Sequence, residues 1–198
     1  MKRHNYIFSL HRKTKNLTLK YDTMETNNTI EALLKKQVRK EALKKISSDF
    51  ALTNEMLHRY WHELDWKEIS CNNEILWTTE MIDHWKNEID WNVLSQTSNE
   101  NLLTPEIIER YEDLWDWHEL SENSYLKLTY ELIDKFIDRW DWKALINSHW
   151  REDPLFSLDF LKRYQQYISV ENLEESALWD SIIDEAVENI KKDMIFGK

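Results

Sequence analysis

Apolar and polar positions recur with a period of about 25 residues through the middle of the chain. Asp-Trp pairs occur at residues 65–66, 90–91, 116–117 and 141–142, spaced by 25, 26 and 25 residues. A threonine precedes each of these tryptophans by thirteen residues. A fifth copy begins at Ser157, and in it Ser169 and Val170 replace the Asp-Trp pair. A fixed period of this length indicates tandem structural units.

Each unit predicts two helices when it is numbered from its Thr or Ser as position 0. Positions 3, 4, 7 and 11 share one helical face, and position 4 is aliphatic and position 7 aromatic in every copy. The hydroxyl at position 0 predicts the N-cap of a first helix of about eleven residues. The Asp at position 12 predicts the cap of a second, shorter helix that carries the Trp. The position-0 residues are Thr53, Thr78, Thr104, Thr129 and Ser157.

One unit alone leaves its apolar stripe uncovered, whereas stacked neighbours bury it. We therefore predict an all-α fold, a helical-repeat solenoid of five layers with about 25 residues per repeat. Residues 49–175 form the five repeats in this prediction. Residues 176–198 form a C-terminal capping helix, because they carry an apolar stripe without the repeat pattern.

Composition excludes several classes of site. The chain has one glycine and one cysteine in 198 residues. Phosphate-binding loops and nucleophile elbows need glycine where a side chain would clash, and one cysteine cannot form an internal disulfide. We identify no catalytic constellation, and we expect a non-enzymatic protein without a cofactor.

His58 and His62 are the pair with metal-ligand spacing, because residues i and i+4 share a helical face. Arg59 stands where the zinc-protease motif has its glutamate, and no third ligand is evident. We therefore predict that the chain has no metal site.

The motif Asp-Trp-x-x-Leu-Ser, followed by Thr-x-Glu and two apolar residues, resembles tryptophan-rich tandem repeats of uncharacterised proteins from large DNA viruses and some bacteria. The resemblance covers about residues 50–175. It implies the repeat architecture, and it brings no catalytic motif that can be transferred to this chain.

Residues 1–48 have the opposite charge to the rest of the chain. They hold twelve Lys/Arg and four Asp/Glu, a balance of +8, whereas residues 49–198 hold fourteen and thirty-three, a balance of −19. We predict a short hairpin before residue 22 and an amphipathic helix from Thr29 to about Ile46. Such asymmetry between segments indicates a charged partner. The candidate basic contacts are Lys35, Lys36, Arg39, Lys40, Lys44 and Lys45.

Two rows of charge recur on the first helices. Position 2 is acidic, and we name Glu55, Glu80, Glu106, Glu131 and Asp159 the acidic row. Position 6 is basic or His, and we name Arg59, His84, Arg110, Lys135 and Arg163 the basic row. The spacing of four predicts ion pairs within each helix. The rows either support the helices and make contacts between layers, or form a surface that a partner recognises.

The tryptophans separate into two groups. Those at position 13 recur with the repeat, and we predict that Trp66, Trp91, Trp117 and Trp142 pack between layers. Trp61 and Trp150 lie off the pattern and are candidates for contact with a partner.

These features favour a protein-interaction scaffold whose acidic surface binds a basic protein, with an inhibitor-like or immunity-like role as one form. The alternative is nucleic-acid or anionic-membrane binding through residues 1–48. We expect a cytoplasmic location, because Tyr6 to Leu10 is too short for a signal-peptide core and no run of eighteen apolar residues occurs. The oligomeric state stays open.

Overall fold

The computed structural model describes residues 29–148 and 154–197, and these residues contain helices and no β-strand. The prediction of an all-α fold is confirmed. The hairpin predicted before residue 22 and the side chain of Trp150 lie outside the described residues.

The chain divides into two compact units, Met1–Ile46 and Ser47–Lys198. Helix α1 covers residues 29–49, three residues beyond the predicted end. Its apolar positions Ile30, Leu33 and Leu34 are exposed.

Each repeat of the second unit contains two short helices. The first helices are α2 (Asn54–Tyr60), α4 (Thr79–Trp85), α6 (Pro105–Arg110), α8 (Tyr130–Lys135) and α10 (Leu158–Tyr164). The second helices are α3 (Trp66–Cys71), α5 (Trp91–Ser95), α7 (Trp117–Glu122), α9 (Trp142–Ser148) and α11 (Val170–Glu174), and a 3-10 turn (Gln165–Tyr167) precedes α11. Helix α12 (Ala177–Phe196) follows the last repeat.

The predicted caps begin these helices with one exception. The hydroxyls of Thr53, Thr78, Thr104 and Thr129 each accept a hydrogen bond from the backbone N–H three residues later. The carboxylates at position 12 accept the backbone N–H three residues later and so cap the second helices α3, α5, α7 and α9. Before α11 the hydroxyl of Ser169 accepts this bond instead. Ser157 makes no side-chain cap bond, so the fifth copy departs from the pattern there.

The first helices are shorter than predicted. They end after six or seven residues rather than eleven, and turns carry the chain on to position 12. Beyond the end of the helix, the tryptophan of position 13 donates its Nε1–H to the carbonyl of position 8 in four copies. That carbonyl would otherwise accept the N–H of position 12 in a continuing helix. The four bonds measure 2.9, 2.8, 2.8 and 3.3 Å.

The core consists of the same positions in successive repeats. Position 4 is fully buried in the first four copies, as Leu57, Ile82, Ile108 and Ile133. Position 16 is buried as Ile69, Leu94, Leu120 and Leu145. In the fifth copy Phe160 and Tyr164 are the buried residues of the first helix, while Leu161 is half-buried. The second helices pack in order, α3 on α5, α5 on α7 and α7 on α9, and α12 packs on α9 and α11.

Candidate functional site

The acidic row occupies the first turn of the first helix in every repeat. Because each cap at position 0 begins its helix at the same point, the carboxylate at position 2 is placed in the same way each time. All five side chains are exposed. At Glu80, hydrogen bonds from its own backbone N–H and from the Thr78 hydroxyl hold the pKa of the carboxyl below its usual range. This member of the row is therefore charged at neutral pH.

The basic row pairs with the preceding repeat, and not with the acidic row of its own helix as predicted. Arg110 bonds to Asp83 at 2.6 Å, Lys135 bonds to Glu109 at 2.5 Å, and Arg163 bonds to Asp134. Each of these partners is at position 5, on the helix one repeat earlier. The prediction named ion pairs within one helix and left the contacts between layers unspecified, whereas stacking brings position 5 of one repeat beside position 6 of the next. Three members of the basic row thus bond to the preceding repeat rather than to the acidic row. Within the acidic row, Asp159 pairs with Lys162 of its own helix at 3.0 Å.

The aromatic residue at position 7 reinforces two of these pairs. The Tyr111 hydroxyl donates to Asp83 at 3.0 Å, and the Tyr164 hydroxyl donates to Asp134 at 2.8 Å. Hydrogen bonds from the arginine and then the tyrosine lower the pKa of Asp83, and Arg163 acts in the same way on Asp134. Both carboxylates therefore stay ionised and bound to the next repeat.

The first boundary replaces the acid–base pair with two histidines. His58 at position 5 and His84 at position 6 have ring centroids 4.4 Å apart. Both rings contact Trp85, at 4.9 and 4.5 Å. A cavity of about 300 Å³ opens beside them, and we name it the histidine pocket. It is lined by His58, Trp61, His84, Trp85, Asn87 and Glu88. The sequence spacing had drawn attention to His62, which does not line this cavity.

Trp61 lines this pocket and is 46% exposed, and its contact with a partner stays a prediction. The tryptophans of position 13 contact the next repeat, and they are half-buried rather than fully enclosed. Trp66 contacts Trp85 at 5.0 Å, and Trp117 contacts Phe136 at 4.9 Å and Trp140 at 5.0 Å. Trp91 and Trp142 contact aromatic rings of the following repeat in the same way.

Sequence reasoning missed the role of the serine at position 17. Ser70, Ser95 and Ser121 are buried, and each hydroxyl donates to the carbonyl of its own position-13 tryptophan. The same oxygen accepts the backbone N–H of the position-12 aspartate in the next repeat, at 2.9 to 3.0 Å. Ser47 makes this bond to Asp65 before the first repeat. The sequence did contain a signal for this role, because serine is the last residue of the recurring motif Asp-Trp-x-x-Leu-Ser.

His118 links two repeats on the exposed side of the second helices. Its Nδ1 lies 2.8 Å from Asp141 Oδ2, and its Nε2 lies 3.6 Å from Glu122. The hydrogen bond to Asp141, supported by the charges of Glu122 and Asp141, raises the pKa of His118 above its ordinary value. The imidazolium is thus favoured by folding.

We expect Asp141→Asn to lower the pKa of His118, because the amide keeps the cap on Ala144 but loses the charge. A raised pKa in the folded state means that His118 contributes stability below the unfolded value of about 6.5. That contribution is lost as pH rises through the folded pKa. NMR titration of the His118 ring in both proteins measures the shift, with Glu171→Gln as a charge control. An unchanged midpoint in Asp141→Asn would contradict the assignment.

The candidate basic contacts lie on α1. All six side chains, Lys35, Lys36, Arg39, Lys40, Lys44 and Lys45, are exposed. Lys35 pairs with Glu31 at 2.8 Å. The exposed apolar positions of α1 include Val38, which is 67% exposed. This helix is therefore basic and amphipathic, as its sequence predicts.

Within residues 29–148 and 154–197, no group of three or more His, Cys, Asp or Glu side chains is arranged to hold a metal ion. In the same ranges no helix combines the length and apolar character needed to cross a bilayer. No protein-family model, curated protein or solved structure matches the chain.

Proposed function

We propose that this chain is a non-enzymatic interaction protein whose acidic row binds a basic protein. The observation that supports this proposal most strongly is that Arg110, Lys135 and Arg163 of the basic row pair with position-5 acids of the preceding repeat. This pairing leaves the exposed carboxylates of Glu55, Glu80, Glu106 and Glu131 available to a partner, whereas Asp159 pairs with Lys162 at 3.0 Å. The cytoplasmic location and the resemblance to viral and bacterial repeats are parts of the same proposal.

A five-layer solenoid closed by α12 is the arrangement that we propose for the repeats. The position-13 tryptophan contacts the next repeat at four boundaries, and the position-17 serine bonds to the next position-12 aspartate. The recurrence of these contacts at equivalent positions favours one repeated step between layers. With packed helices about 8–10 Å apart, the acidic row would be a regular array of charge.

The charge of the second segment supports a basic partner. Residues 49–198 carry a formal charge of −19. A field of this sign accelerates the encounter with a cationic protein, and local complementarity then fixes the register. An inhibitor or immunity protein that covers the cationic surface of its target would use the chain in this way.

We expect neutralisation of the acidic row to weaken capture of the partner by about tenfold at physiological ionic strength. The variant carries Glu55→Gln, Glu80→Gln, Glu106→Gln, Glu131→Gln and Asp159→Asn in the full chain. Affinity capture from the native host identifies the partner, and calorimetry with the purified partner then measures Kd.

The matched control neutralises five exposed acids outside the row. It carries Glu171→Gln, Glu174→Gln, Glu175→Gln, Glu185→Gln and Asp193→Asn, all exposed in the structure. Both variants change the formal net charge from −11 to −6, so long-range attraction falls equally. Equal affinity of the two variants would show that net charge alone is recognised, and the proposed site would then be wrong.

The alternative function is binding to nucleic acid or an anionic membrane through residues 1–48. The observation that favours it is α1, which exposes an apolar stripe and a set of lysines together. Basic amphipathic helices of this kind lie at membrane surfaces. Sedimentation with phosphatidylserine vesicles, lost when Lys35, Lys36 and Lys40 become Gln, would support this alternative if no basic protein is captured.

A further inference from the structure

Three repeat boundaries share one arrangement of charge and aromatic rings. A carboxylate at position 5 bonds to a cation at position 6 of the next repeat, and that cation lies over the ring at position 7. The distances from cation to ring centroid are 5.9 Å at Tyr111, 5.9 Å at Phe136 and 5.8 Å at Tyr164. Two of the three cations are guanidinium groups. At each of these boundaries the protein itself supplies the cation. At the second repeat boundary a cavity of about 340 Å³ is lined by Asp83, Arg110 and Tyr111 together.

The first boundary keeps the aromatic ring but has no arginine or lysine at position 6. Trp85 is the position-7 residue, and His58 and His84 occupy the two places that the carboxylate and the cation take elsewhere. The histidine pocket opens at this point, with a volume of about 300 Å³. This volume is at the lower end of the range for small-ligand sites.

The lining of the pocket is suited to a planar cation. The faces of tryptophan rings attract cations more strongly than those of tyrosine or phenylalanine. Trp61 and Trp85 both line the cavity, and Glu88 supplies a carboxylate at its edge. A guanidinium group stacks on aromatic rings and bonds to carboxylates in its own plane, which an ammonium group does not do.

We infer that the histidine pocket binds an arginine side chain of the basic partner. This inference rests on the proposed function, and it identifies the first repeat boundary as the place where the partner supplies the cation. The partner's guanidinium stacks on the ring of Trp61, which is 46% exposed, and bonds to Glu88. The ring of Trp85 is 5% exposed, because His58, His84 and Trp66 pack against it. A metal ion is the competing occupant, since the two imidazoles adjoin. The described residues offer it no third His, Cys, Asp or Glu ligand.

The test uses Nα-acetyl-arginine amide as the probe and the full-length protein labelled with ¹⁵N. We expect the indole Nε1–H signals of Trp61 and Trp85 to shift saturably, with a Kd in the millimolar range. The citrulline analogue, which has the same shape without charge, is expected to cause no shift. Equal binding of the lysine analogue would overturn the assignment to a guanidinium.

Two variants localise the binding. Trp61→Ala is expected to weaken it about fivefold, and Glu88→Gln about threefold. The backbone carbonyl of Trp61 accepts the indole N–H of Trp66, and alanine retains that carbonyl. The controls are Leu76→Ala, at a side chain that is 79% exposed, and Glu171→Gln. Unchanged affinity in both pocket variants would show that the probe binds elsewhere and would overturn the inference.

Two further outcomes separate this inference from the proposed function. Tight one-to-one binding of Zn²⁺ that shifts His58 and His84, without binding of the arginine probe, would overturn the inference and assign a metal site. If capture of the partner still depends on the acidic row in that case, the proposed function stands. If the arginine probe binds but neutralising the row leaves capture unchanged, the proposed function fails while the pocket remains.

Discussion

Trp117→Ala is expected to lower the free energy of unfolding by about 3 kcal/mol. The indole ring of Trp117 contacts Phe136 and Trp140 of the next repeat, at 4.9 and 5.0 Å. Its Nε1–H donates to the Glu112 carbonyl, a bond of 2.8 Å that closes the turn after α6. Alanine removes the ring contacts and leaves that carbonyl without its indole donor. The half-exposed position of Trp117 places the loss at the lower end of the range for buried tryptophans.

Urea-induced unfolding followed by circular dichroism measures this loss. Thr104→Ala is the matched control within the same repeat, because it removes the cap bond to Ile107 and no packing. It is expected to cost about 1 kcal/mol. A Trp117→Ala protein as stable as the wild type would show that the tryptophans of position 13 do not hold successive repeats together.

Asn123→Asp is expected to destabilise the fold by about 3 kcal/mol at neutral pH. The buried amide of Asn123 donates to the carbonyls of Ser95 and Thr97, at 2.8 and 2.9 Å. Its oxygen accepts the N–H of Tyr125 at 2.9 Å. A carboxylate has the same shape but sets negative oxygens against two carbonyl oxygens. Both donors to the preceding repeat are lost.

The pH dependence distinguishes this cause from a loss of packing. Burial beside carbonyls raises the pKa of an introduced carboxyl, so protonation on acidification restores one donor. The destabilisation relative to wild type should therefore shrink as pH falls. Asn101→Asp is the control, since Asn101 is exposed, and it is expected to cost less than about 0.5 kcal/mol. An Asn123→Asp protein with wild-type stability would contradict the inter-repeat role of this amide.

The sequence predicted where the residues of the acidic and basic rows lie on their helices. It did not predict which acid each basic residue pairs with. The position of the acidic row follows from the caps, because an N-cap defines which residue occupies the first turn. The pairing of Arg110 with Asp83 could not be predicted from the caps, because the two residues are 27 positions apart in the sequence. An arginine has acids within reach on its own helix and on the preceding one, and only the separation between the helices selects between them.

The contact of His58 with His84 could not be predicted from the sequence either, because it also joins two different repeats. Spacing along the chain relates His58 to His62, which would share a face of a continuous helix, but α2 ends at Tyr60. Stacking instead places His58 beside the repeat that follows, where the ring of His84 lies 4.4 Å away. The pocket between them is a property of two repeats together, and no single repeat contains it.

By itself the sequence determined the all-α fold, the caps and the apolar positions that are buried, because these depend on neighbours within a few residues along the chain. Only the tertiary structure decided where the first helices end and which charges pair. In the first four copies the indole of position 13 donates to the carbonyl of position 8, so that this carbonyl does not accept the N–H of position 12 as it would in a longer helix. Hydrogen bonds and ion pairs between repeats depend on distances in space, which are set only when one repeat packs on the next.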